Sequence, residues 1–125
     1  MRISAACLVG MLAFPCLAKA ECAGPNAPLT VEGQLAIGHF YDAVDRPETA
    51  LILTMASPIC LSGPEEDDNV EPTRKLHVYG DDTATHKKLQ TFVGKGVRLT
   101  GEVFAAHTAH HHAPIVMDVK LVEKP

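Results

Sequence analysis

RKLHVYGDDTATHKKLQTFVGKGVRLTGEV, Arg74 to Val103, places an alternating run, a capped helix and a second alternating run in direct succession, and that order decides the fold. In Arg74 to Tyr79, Leu76 and Val78 fall on one face and His77 on the other, the period-two pattern of a half-buried strand. Asp81 or Asp82 can cap a short helix over about Thr83 to Val93, with Leu89, Phe92 and Val93 turned inward and Gly94 supplying the left-handed stop. Val97, Leu99 and Val103 then mark another strand, in which Gly101 predicts a bulge or sharp bend.

Upstream, Leu29, Val31, Gly33, Leu35 and Ile37 alternate with Thr30, Glu32, Gln34 and Ala36, which predicts a first strand. A second covers about Thr49 to Met55, with Leu51, Leu53 and Met55 on one face. Pro58 is expected to end it, since proline cannot donate to a ladder. Ser62 to Asn69 is acidic and turn-rich and reads as an exposed loop, lacking the alternating carboxylates and distal Glu of a calcium loop. Downstream, Ile115, Met117, Val119 and Leu121 alternate with Val116, Asp118, Lys120 and Val122 in a fifth strand. The chain is therefore mainly β, with three strands, a helix and two strands. This is the element order of the OB-fold, a small five-stranded barrel that binds ligands with its 1–2 and 4–5 loops. A single exposed sheet packed by the helix is the alternative.

Residues 1–20 stand apart from the fold. Met1-Arg2 is a short positive start, Ile3 to Leu17 is almost entirely small or apolar, and Ala18-Lys19-Ala20 fits the small-x-small rule, so a signal peptide cleaved after Ala20 is expected. The apolar run is too short and interrupted for a membrane span. Residues 21–125 then form one small domain, periplasmic or secreted, with no membrane insertion after cleavage. Removing Arg2 and Lys19 leaves 9 basic residues against 15 acidic ones, a net charge of −6, which argues against a nucleic-acid partner. Cys7 and Cys16 leave with the leader. The remaining pair, Cys22 and Cys60, reads as one disulfide closing a loop of roughly forty residues and worth about 4 kcal/mol.

Chemistry concentrates in His107-Thr108-Ala109-His110-His111-His112, where four of the seven histidines lie in the predicted 4–5 loop. His39-Phe40-Tyr41-Asp42 falls in the predicted 1–2 connection, so His39 is expected to approach the cluster. His39, Phe40, Tyr41, His107 and Thr108 are the candidate ligand-binding residues. His107, His110 and His112 are the candidate metal ligands, with zinc, copper or nickel as suitable ions and Asp118 as a neighbouring carboxylate. His107 and His110 can meet in a turn, and His110 and His112 share a side if the chain is extended. The plainer reading is a loop ordered by its own imidazole hydrogen bonds. His77 and His86 are expected to face solvent.

Val93-Gly94-Lys95-Gly96-Val97, Thr100-Gly101, the histidine run and Ala113-Pro114-Ile115-Val116-Met117 together resemble a family of exported bacterial proteins catalogued as domain of unknown function 4431. The resemblance is strong over about Val93 to Val119 and looser over Leu29 to Leu61, where Val31-Glu32-Gly33-Gln34-Leu35 and Pro58-Ile59-Cys60 match. It implies a histidine-threonine-glycine-histidine-histidine-histidine loop; Ala109 stands here in place of the glycine. It carries no reaction.

No catalytic set completes the loop. Ser57 and Ser62 sit in proline- or glycine-flanked turns, no free cysteine remains, and Gly94-x-Gly96 is no phosphate-binding fingerprint. The expected function is a small exported binding module for an unknown ligand. The alternatives are a periplasmic protein that binds zinc, copper or nickel through the histidine cluster, with zinc or copper the first candidates as cofactor, and a cell-envelope interaction or inhibitor domain whose loop grips a protein or glycan, with binding that depends on Phe40 or Tyr41.

Overall fold

A computed structural model describes residues 21–125; the expected leader lies outside them. The elements are β1 (Ala27–Tyr41), β2 (Pro47–Leu61), β3 (Val70–Gly80), α1 (Thr83–Gln90), β4 (Gly96–Ala105) and β5 (Ile115–Glu123). The strands close into a barrel in the order β1-β2-β3-β5-β4, with β3 and β5 parallel and the other neighbours antiparallel. This is the OB-like barrel with one short helix between the third and fourth strands. Its centre is filled by the inward set of each strand, including Leu35, Leu53, Leu76, Leu99, Ile115 and Met117, while Leu89 of α1 caps one end.

Closure needs β1 to serve two partners. Gly33 is paired with Met55 of β2 and with Val97 of β4, and a Cβ there would run into the Thr54 carbonyl. Glycine is what allows the backbones to approach where the strand changes partner. Gly101 does the same for β4: the ladder slips between Thr100 and Gly101, and a Cβ would meet the Asp118 carbonyl. The expected bend is thus a bulge. Asp82 caps α1, its side chain accepting from Thr85 N at 2.7 Å. Gly94, at φ 84°, ends the turn after α1 and donates its N–H to Leu35 O at 2.7 Å, tying the helix to β1.

Three boundaries differ from expectation. β2 runs through Pro58 to Leu61, because the ladder with β3 shifts between Thr54 and Ile59 and needs no donor there. Arg74 Nη1 donates to the freed Met55 and Ala56 carbonyls. Helix α1 stops at Gln90, leaving Phe92 and Val93 to pack from a turn. β1 continues to Tyr41, so His39, Phe40 and Tyr41 are strand residues and only Asp42 to Arg46 turn. Ile37, expected inward, is exposed because β1 has passed the start of β4. Cys60 lies within β2 and is joined to Cys22 with a Cα–Cα distance of 4.6 Å, while Ala23 bridges to Leu61 beside it.

Candidate functional site

Strand register lines up one residue from each strand on the outer face: Ala36, Ile52, His77, Val116 and Phe104 are successive partners across the barrel. Val116 belongs to this outward row yet has no exposure, so something covers it. The cover is the 4–5 loop, residues 106–114, closed at its base by Ala106 N donating to Pro114 O at 3.0 Å. His111 packs edge-on against both His77, at 6.1 Å between ring centroids, and Phe104, at 5.6 Å, which sets its ring above Val116.

The loop's histidines divide between two sides. His110 and His112 turn to Glu48 at the start of β2: His110 Nδ1 lies 2.8 Å from one carboxylate oxygen, and His112 Nε2 contacts the other. His107 and His111 turn the other way, with rings 4.8 Å apart and both near Phe104. Of the two expected approaches, His110 with His112 is observed and His107 with His110 is not. The three candidate metal ligands therefore surround no common point. Among the described residues, no group of three or more His, Cys, Asp or Glu side chains is arranged to hold a metal ion.

His112 is the anchor of the loop. Its side chain is 9% exposed against 67% for His110. Its ring lies flat on Phe40, with centroids 4.3 Å apart and planes 5° apart, and its backbone N–H donates to His77 Nδ1 at 3.1 Å. His107 N–H likewise donates to His111 Nδ1 at 3.0 Å. Each accepting nitrogen must be unprotonated, so neutral His77 and His111 carry their proton on Nε2. Burial, followed by the positive charge of neighbouring histidines, holds both below the ordinary imidazole value. Hydrogen bonds from His112 and then His110 hold the Glu48 carboxyl below the usual carboxylate range. An ionised carboxylate only accepts, so His112 donates from Nε2 and His110 from Nδ1.

His77 faces outward but lies half-buried beneath the loop rather than in solvent, whereas His86 is exposed. Thr108 shapes the loop, its Oγ1 accepting from His110 N at 3.2 Å and its carbonyl from His111 N at 3.1 Å. Ala109 is not among the residues with positive φ, so the turn does not require the family's glycine. His39 and Tyr41 are exposed and, as strand neighbours of Phe40, face away from it. Asp118 bonds Lys120 at 3.1 Å and takes no part in the histidine contacts.

Sequence reasoning passed over Glu48, His77 and Phe104. A signal for Glu48 existed: a hairpin with a five-residue turn sets it opposite Phe40, on the same outward face. Beside His112 the outer face holds a groove of about 390 Å³ lined by Ala36, Ile37, Gly38, Phe40, Ile52, Thr54, Lys75 and His112. Lys75 Nζ donates to Thr54 Oγ1 at 2.9 Å at its rim.

No curated protein and no solved structure matches the chain. Residues 75–123 match the family described as Domain of unknown function (DUF4431), a span that takes in most of β3, α1, β4, the histidine loop and β5; it bears out the resemblance over Val93 to Val119 and does not extend to Leu29 to Leu61.

Proposed function

We propose that the chain is a small exported binding module that takes its ligand on the outer face of β1, β2 and β3, in the groove edged by the histidine loop. The observation that carries this reading is the groove itself. It lies on the strand 2–3 face that OB barrels use, and its volume falls within the roughly 300–1,000 Å³ of small-molecule sites. Ala36, Gly38 and Ile52 make an apolar floor, Phe40 and His112 a flat wall, and Lys75 supplies one positive charge. Such a lining suits a flat, mostly apolar molecule with one anionic group. Export is supported by the Cys22–Cys60 bond, which persists in an oxidising compartment.

The test uses 8-anilinonaphthalene-1-sulfonate, a flat apolar probe with one sulfonate, on residues 21–125. Saturable binding is expected, with amide shift changes at Ala36, Gly38, Ile52 and Lys75. Ala36→Glu, at an exposed position in the floor, should abolish it. Shifts centred elsewhere on the barrel, or binding indifferent to Ala36→Glu, would sink the proposal.

A further inference from the structure

We propose that the 4–5 loop is a strap over the outer face of β3, β5 and β4 that is held shut at neutral pH and loosened on mild acidification. The inference concerns the loop's own state and does not require the groove to take a ligand. It stands on two hydrogen bonds in which the loop's backbone is held by imidazole nitrogens: His112 N–H to His77 Nδ1 at 3.1 Å and His107 N–H to His111 Nδ1 at 3.0 Å. Protonating either nitrogen turns an acceptor into a second donor facing the N–H, so attraction becomes repulsion. One bond fastens the loop to β3 and the other fixes the loop's internal fold, so both contacts fail together as the rings charge.

The neighbours carry both signs. From β3 the loop meets His77 and, at the groove rim, Lys75; from β2 it meets Glu48; Asp42 in the β1–β2 turn lies close enough to His110 to feel its charge. The loop adds His107, His110, His111 and His112. From β5 and β4 the row beneath is apolar, Val116 and Phe104, with Asp118 and Glu102 one row further on. From the turn at 66–68, Asp67 and Asp68 line a hollow with His107 and Phe104. Five imidazoles and a lysine thus stand against four carboxylates, and at His77 and His111 burial and the neighbouring histidines outweigh them. His77 and His111 are held below the ordinary imidazole value of 6.5 while the loop is shut. The shut state therefore keeps its full advantage above pH 6.5. Below it, that advantage falls by up to about tenfold per histidine per pH unit. Glu48, held below the ordinary value of 4.5, stays ionised through this range and keeps gripping His110 and His112 until the pH approaches that value. Release by the histidines accordingly begins below 6.5 and is complete once Glu48 is also protonated.

Lifting the loop uncovers Val116, Phe104 and His77, an apolar strip continuous with the Ala36–Ile52 side of the same row. The experiment reads imidazole nitrogen resonances at pH 7.5, and backbone amide exchange, corrected for intrinsic rates, at pH 7.5 and 5.5 on residues 21–125. His77 and His111 should both show the Nε2–H form at pH 7.5. Protection of the His107 and His112 amides should fall at least about tenfold at pH 5.5 relative to the core amides of Leu53 and Leu76. In His77→Asn with His111→Asn, an amide oxygen takes the place of each Nδ1 and does not titrate, so the response should vanish. An Nδ1–H form at either ring, unchanged protection in the natural protein, or a double variant that responds as the natural protein does would each overturn the proposal. If the double variant does not fold, the first two readings still decide.

Discussion

Replacing Cys22 by Ser and Cys60 by Ala removes the cross-link without leaving a hydroxyl in the core, since Cys22 is exposed and Cys60 is 3% exposed. The bond spans a sequence separation of 38, which encloses all of β1 and nearly all of β2. Loop-closure entropy for that length gives about 4 kcal/mol at 25 °C. Small domains have only about 5–15 kcal/mol in total, so the open chain should be marginal. For a domain of this size the melting temperature should drop by roughly 15–20 °C. The assay is urea unfolding of the variant and of the natural protein with and without dithiothreitol. Reduction alone should reproduce most of the loss, because it opens the same loop without changing a side chain. The N-terminal arm should fray as well, since Ala23 N donates to Cys60 O and Ser62 N to Ala23 O, both at 2.9 Å, next to the bond. A loss below about 1 kcal/mol on reduction would refute the loop-closure reasoning. It would also remove the argument that this barrel depends on an oxidising compartment.

Two of the structural glycines should part company in urea. Gly101→Ala drives a Cβ into the Asp118 carbonyl inside a closed ladder and should cost roughly 1–3 kcal/mol or more. Gly94→Ala meets nothing within 4 Å and bears only the penalty of φ 84°, about 1 kcal/mol; the reverse order would show that the bulge can open. In the loop, His112→Ala removes the ring stacked on Phe40 and bonded to Glu48, and should loosen residues 106–114 by about 1–3 kcal/mol of local opening. His107→Ala, at an exposed position whose backbone N–H remains, should change local exchange little, and equal effects would mean that the loop is not anchored where His112 sits.

Much of the barrel was legible because its physics is periodic. An inward Leu or Val every second residue marks a strand whatever its partner, and Asp82 carries start chemistry that is local to the chain, while Gly94 closes the turn that follows the helix. Pro58 misled because a proline ends a strand only if the ladder needs its N–H, and the slip between Thr54 and Ile59 removes that need. The length of β1 was hidden for a related reason. Ile37 to Tyr41 pair with β2 on one edge after β4 has ended on the other, so their burial no longer follows the alternation that identified the strand.

The histidine loop shows why density alone does not fix chemistry. Six residues advertise many ligands, but each imidazole has two nitrogens, and what each does is decided by a partner distant in sequence. His77 and His111 present Nδ1 to backbone N–H groups, while His110 and His112 give one nitrogen each to Glu48, 62 and 64 residues away. Each contact also fixes the tautomer, so the second nitrogens of His77 and His111 carry protons and only those of His110 and His112 keep lone pairs. Those two lone pairs sit on the nitrogens that do not touch Glu48, so the grip of Glu48 on each ring fastens the loop to β2 without itself occupying a ligating nitrogen. Glu48→Gln is the change that should loosen that grip, because a neutral amide accepts more weakly than an ionised carboxylate.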